Sequence, residues 1–200
     1  MIYYWLHMLY IYVGAKYFWK KINMESDLSR IRRVRVFDCD SLRYMANSKY
    51  FYYMDFIRFE VLFRSKLYDN TFKKGIFPVL GSQKFIYKKP LKRGTNFKIT
   101  ISLEGWDDKW VYHRQTFTRK DEIYAIGYTK AAFWKNKKAL DIRKIFYDCG
   151  FHKPEMNPSA DVLNMFKDDY DILKTLKTEN TNNKVLTWVR CKIRPQTSYK

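Results

Sequence analysis

The chain carries 200 residues, a formal net charge of +19 and 19% aromatic residues, with only 7 Gly and 5 Pro. The aromatic load excludes wholesale disorder, and the low Gly and Pro content excludes collagen-like or linker sequence. The charge calls for an anionic partner, whether nucleic acid, a membrane surface or a phosphorylated ligand, although a chain rich in Lys, Asn, Tyr and Ile is also what an AT-rich genome encodes.

The first fifteen residues, MIYYWLHMLYIYVGA, form an apolar, aromatic run followed by Lys16, Lys20 and Lys21. A spanning helix needs about 20 mostly apolar residues, and this run reaches that length only if Lys16 snorkels. Trp and Tyr favour the membrane boundary. A cleaved signal peptide fits poorly, because the positive charges follow the apolar stretch instead of preceding it. The segment is therefore expected to be a membrane anchor or interfacial helix over 1–21. Its basic flank, which extends to Arg30, Arg32, Arg33 and Arg35, would hold the following domain on the cytoplasmic side of a membrane such as the endoplasmic reticulum. A buried amphipathic helix of a cytoplasmic protein is the alternative.

Further along, the alternation in Arg33–Phe37 predicts a strand. A helix follows, capped by Asn47 or Ser48 and running to about Tyr68 without Gly or Pro. Tyr50, Met54, Ile57 and Val61 make one stripe on it, widened by Tyr53, Phe56, Phe59 and Phe63. A helix so apolar around its circumference is buried on several sides, leaving Glu60 and Arg64 as an i,i+4 pair on the remaining face. Four strands are then expected, over Leu80–Lys89, Phe97–Trp106, Trp110–Thr118 and Ile123–Trp134, separated by turn signals and forming an antiparallel meander. The pattern predicts an α+β domain whose sheet wraps a long central helix. A short helix over Ala139–Cys149, ending at Gly150, and a helix over Ser159–Leu176, with Val162, Phe166, Tyr170, Leu173 and Leu176 on one face, precede a basic tail.

Cys39, Cys149 and Cys191 are far apart, as are His7, His113 and His152, so neither metal spacing nor a Cys–His nucleophile pair is present in the sequence. The basic residues are dispersed and match no nucleic-acid recognition module, so no nucleic-acid partner is expected. The sharpest local feature is Asp38-x-Asp40, with Asn47 seven residues later at the start of a helix. A carboxylate beside a helix amino end is a productive pair: the free N–H groups hold a carbonyl oxygen as charge develops on it, and the carboxylate attacks the carbonyl or takes a proton from water. Loop aspartates also make turns and caps.

The stretch FDCDSLRYMANSKYFYYMDFIRF, Phe37–Phe59, resembles the opening motif of hotdog-fold acyl-CoA thioesterases. That pattern is Asp-x-Asp-x-x-x-His-Met-Asn-Asn-x-x-Tyr, then an acidic residue and an Arg. Asp38, Asp40, Met45, Asn47, Tyr50, Asp55 and Arg58 fall in place. Downstream, Leu103–Lys109 and Lys153-Pro154-Glu155 resemble the branch of thioesterase superfamily member six, whose members also begin with a hydrophobic segment. The resemblance covers about residues 1–176 and implies a hotdog fold over 30–136 with a helical extension over 137–178; residues 179–200 read from their composition as a basic tail. It also implies an acyl-CoA substrate with no other cofactor and no metal, and a homodimer or larger homo-oligomer with sites between subunits.

By position, the resemblance makes Asp40 the nucleophile or general base and the Asn47 backbone N–H the oxyanion donor. Tyr44 stands where the branch often has His, and Ala46 where it often has the first Asn. Those departures leave room for a non-catalytic, membrane-associated module that binds acyl-CoA, lipid or a partner protein. Tyr50 is expected at the substrate. Lys88, Lys89 and Arg93, within the acid-free run Ser82–Lys98, are expected at the coenzyme A phosphates.

Overall fold

The computed structural model describes residues 2–152, 156–169, 171–172 and 174–175. The chain divides into two compact units, one extending to Ser159 and the other starting at Ala160. The sequence readings at Lys153-Pro154-Glu155, at Tyr170, Leu173 and Leu176, and over the basic tail lie outside the described residues. Of the helix expected over Ser159–Leu176, the structure assigns α5, Ala160–Met165.

Helix α1, Ile2–Val13, continues as a π-helical turn over Gly14–Phe18. Among the described residues no helix is long and apolar enough to cross a membrane. Instead α1 lies along α2, Asn47–Arg64. The rings of Tyr4 and His7 meet Phe56 at centroid separations of 5.3 and 4.1 Å, and Tyr12 meets Phe63 at 5.5 Å. Ile11 is fully buried.

The strand expected at Arg33–Phe37 forms earlier, as β1, Leu28–Arg33, and Val36–Asp38 is a 3-10 turn. The alternation is misleading because an arginine takes an inward position. Arg30 reaches buried Glu60, which Arg64 also contacts at 2.6 Å, while Ile31 faces solvent. The Glu60–Arg64 pair therefore sits inside, not on an exposed face. Two guanidinium groups around one carboxylate compensate a charge that would be costly to bury alone.

α2 follows its apolar stripe: Tyr50, Tyr53, Met54, Phe56, Ile57 and Val61 are all buried. It ends at Ser65 and is followed by a short helix α3, Leu67–Asn70. The sheet then comprises β2, Phe77–Tyr87, β3, Asn96–Trp106, β4, Val111–Arg119, and β5, Glu122–Lys135, with a two-residue β6, Lys138–Ala139, on β5. Its order is β1-β3-β4-β5-β2, antiparallel at every pairing. The meander is thus β3-β4-β5. The expected pairing of β2 with β3 does not occur: β2 crosses to the far edge and pairs with β5 from Phe77↔Trp134 to Tyr87↔Ala125.

The sheet curls around α2. Phe97, Ile99 and Ile101 of β3, Phe117 of β4 and Ala125 of β5 share one core cluster with the helix. Gly127 of β5 permits the closest approach, because a Cβ there would come within 2.3 Å of the Met54 side chain. A second core cluster joins Trp106, Val111 and Phe133 to α4, Ile142–Asp148, whose amino end is capped by the Asp141 carboxylate accepting from the Arg143 N–H.

Candidate active site

The chain between β1 and α2 forms a tight loop built around its two aspartates. Asp38 is buried. Its Oδ2 accepts from the Tyr53 hydroxyl at 2.9 Å and from the Arg35 N–H at 3.0 Å, and the Lys49 ammonium lies 3.5 Å from Oδ1. Burial and the neighbouring carboxylate push the Tyr53 phenol strongly upward, so it stays protonated and remains a donor.

Asp40 is exposed. Its Oδ1 accepts from the N–H groups of Leu42 at 2.9 Å and Tyr44 at 3.2 Å, which fixes the carboxylate in an Asx-type turn. The backbone closes the loop through Asp40 N–H to Tyr44 O at 2.8 Å, with Arg43 in the left-handed region at φ 64°.

The helix start differs in one respect from expectation. The cap position belongs to Ala46, and Asn47 is the first helical residue. Ala46 has no side chain that can cap the first N–H groups of α2; the Lys49 N–H donates to the Ala46 carbonyl at 2.9 Å, and no side-chain cap covers the N–H groups of Asn47 and Ser48. The Asp38 carbonyl accepts from the Ala46 N–H at 2.8 Å, tying the carboxylate loop to the helix entry.

The 91–93 segment docks on the same loop. Leu91 O accepts from Met45 N–H at 2.8 Å, Arg43 O accepts from Arg93 N–H at 2.9 Å, and Tyr44 bridges Lys92. Asp40, Tyr44, Asn47 and Arg93 are therefore brought together, and Lys92, which belongs to the same acid-free run, stands with them. Lys88 and Lys89 instead turn toward Glu122, at 4.0 and 2.5 Å. Tyr50 is a core ring packed on Phe85 and Phe117. Burial raises its phenol, which hydrogen-bonds the Leu91 backbone, so Tyr50 supports the segment beside the loop. Among the described residues no group of three or more His, Cys, Asp or Glu side chains is placed to hold a metal ion.

A curled antiparallel sheet around one long helix, with a carboxylate loop leading into that helix, defines a hotdog-fold protein. Residues 34–166 match the model of the Thioesterase-like superfamily, and the chain belongs to it. Protein THEM6 of Xenopus laevis is 35% identical over 87 residues, which is 43% of this chain and 42% of that protein. The chain thus matches less than half the length of that relative. Among solved structures, the YbaW probable thioesterase of Escherichia coli superposes with a TM-score of 0.58 at 18% identity, over 62% of this chain and 96% of its own. The SAV2348 protein of Staphylococcus aureus, solved in complex with CoA, superposes with a TM-score of 0.55 at 11% identity, over 70% and 94%.

Proposed function

We propose that this protein hydrolyses acyl-CoA thioesters with the Asp40 carboxylate as nucleophile or general base. The observation that carries the reading is the exposed Asp40, oriented by two backbone N–H groups, in the loop that delivers the uncapped amino end of α2. The thioester carbonyl oxygen would sit on the Asn47 N–H at that helix end, where the backbone dipoles stabilise developing negative charge. Asp40 then attacks the carbonyl carbon and expels the CoA thiolate, giving a mixed anhydride that water opens. Alternatively it takes a proton from a water that attacks directly. Tyr44 can donate a hydrogen bond beside the reacting group. Lys92 and Arg93 lie in the segment docked on the loop, which supports a role for them at the CoA phosphates, whereas Lys88 and Lys89 pair with Glu122.

The open face of Asp40 in the single chain supports a site completed by a second copy. Strand β2 ends the sheet and presents Val79, Leu80, Ile86 and Tyr87 partly to solvent. An edge of that length is a template for pairing with another β2. The test of the main reading is thiol release from an acyl-CoA panel by the purified protein and by Asp40→Asn. Turnover that survives the substitution removes Asp40 from the chemistry. A second reading, a non-catalytic membrane-associated module that binds acyl-CoA, lipid or a partner protein, is favoured by the outward apolar face of α1 and by Ala46 and Tyr44 at the site. Saturable acyl-CoA binding without turnover across the panel would select it.

A further inference from the structure

Residues 38–46 form a closed hairpin. The Ala46 N–H donates to the Asp38 carbonyl at 2.8 Å, the Cys39 backbone bridges Met45, and the Asp40 N–H donates to the Tyr44 carbonyl at 2.8 Å. The Asp38–Ala46 pair is the root. Asp40 stands just past the root on one arm, and Asn47 follows it directly on the other. A tilt of the root therefore moves the Asp40 carboxylate relative to the amino end of α2. One edge of the hairpin rests on the backbone of the 91–93 segment. The root is held to α2 by the Asp38 side chain, through the Tyr53 hydroxyl at 2.9 Å and the more exposed Lys49 ammonium at 3.5 Å. Tyr53 does not follow the hairpin: it is buried, and its ring packs edge-on against Phe97 at 5.2 Å and Phe56 at 6.3 Å. A phenylalanine would make the same ring contacts, so core packing does not call for the hydroxyl.

We propose that Tyr53 is a positioning residue: its hydroxyl, acting through Asp38, fixes the hairpin on α2 and so sets the separation of the Asp40 carboxylate and the Asn47 N–H. A bond from a rigid core ring to a buried carboxylate is suited to this, because a ring held by packing carries its hydroxyl to one place and the charge on the acceptor shortens and strengthens the bond. Tyr53 is distinct from the groups that would meet substrate, since its hydroxyl is buried and committed to Asp38. In a thioester hydrolase Asp40 and the helix end must act on one carbonyl, and a displacement of about 1 Å there costs about a hundredfold in rate. That consequence rests on the thioesterase reading; the hold on the hairpin does not.

The experiment compares the full chain with its Tyr53→Phe variant, which keeps the ring and leaves Asp38 the Arg35 N–H and Lys49 as partners. Amide hydrogen exchange read by NMR should show the N–H groups of Asp40 and Ala46 exchanging at least tenfold faster in the variant, and by a larger factor than those of β4 and β5. On an acyl-CoA that the parent cleaves, kcat should fall at least tenfold with KM held within twofold. In an Asp38→Ala background the same substitution should lower kcat no further, because Tyr53 acts through Asp38. Parental exchange at the hairpin, an equal rise at hairpin and sheet, an unchanged kcat, a loss confined to KM, or a further loss of kcat in the Asp38→Ala background would overturn the proposal. If the parent cleaves no acyl-CoA, the hydrolysis reading falls, and the exchange rates alone decide whether Tyr53 holds the hairpin.

Discussion

Asp38 and Asp40 are two residues apart and have opposite environments. Asp38 is buried under three partners, so Asp38→Ala strands the Tyr53 hydroxyl and the Arg35 N–H and should cost about 2–3 kcal/mol in chemical denaturation. Asp40 is exposed and the two N–H groups it accepts from can turn to water, so Asp40→Ala should cost no more than about 1 kcal/mol. It should also lower acyl-CoA turnover by at least about a hundredfold. The reverse pattern, a stability loss at Asp40 with activity kept, would make Asp40 a turn residue only.

His113 gives a pH prediction. Its folded value is pushed down to about 4 from 6.5 by burial and Arg58, so on acidification the unfolded chain takes up the proton first. The stability is whole above about pH 6.5 and is lost as pH falls toward 4, by about 3 kcal/mol from this group. His7, pushed down to about 4 by burial and by Arg32 and Arg35, adds a smaller loss because it is partly solvated. A His113→Leu variant should show a flatter stability profile between pH 7 and 4; an unchanged slope would refute the assignment. At this scale Asp40, Tyr44 and Asn47 were legible because they share one short loop. Arg58 was visible only as a motif position, and its meeting with His113 was not visible, because α2 and β4 are far apart in sequence and only the fold joins them.

Among the elements, α2 and the β3-β4-β5 meander could be read because their patterns are local: a stripe with helical spacing, and strands divided by tight turns. β1 was misplaced because Arg30 occupies an inward position that apolar alternation cannot reveal; its partner, Glu60, lies on another element. The place of β2 was misread because pairing beside β5 is non-local, and the turn signals near Pro90 and Gly94 do not distinguish a hairpin from a crossover. The Gly105–Asp108 turn was seen, but its reason was not. Gly105 sits at φ 132° in a bulge of β3, and a Cβ there would lie 2.3 Å from the Met156 carbonyl oxygen and 2.8 Å from the Pro158 nitrogen. Beside it the Asp107 carboxylate accepts from Lys109 N–H, Trp110 N–H and the Tyr112 hydroxyl. Gly105→Ala meets both a disfavoured backbone region and immovable backbone atoms, so it should cost at least about 3 kcal/mol. A melting temperature within a degree of the parent would show that the 156–158 segment yields.

Over the whole molecule, the charge of +19 and the aromatic excess meet at the amino-terminal segment. The inner face of α1 is used: Tyr4, His7 and Ile11 lie on α2 or in the core. Its outer face is apolar and open, with Ile2 79%, Trp5 68%, Leu6 60% and Leu9 57% exposed, and Phe18 just beyond at 78%. A helix of 12 residues is about 18 Å long, and one packed lengthwise on a domain meets a bilayer side-on. The expected mode is therefore in-plane insertion to the headgroup boundary, with exposed Lys16, Lys20 and Lys21 facing anionic lipid. Vesicle flotation tests this directly. The protein should float with vesicles containing anionic lipid, bind zwitterionic vesicles more weakly, and be released progressively as salt is raised. A Trp5→Glu/Leu9→Glu variant should lose most of that binding, because it puts two carboxylates on the inserting face without touching the α2 contact, and it should still turn over soluble acyl-CoA at the parental rate. Equal flotation of the variant and the parent would show that the outer face of α1 is not what meets the membrane.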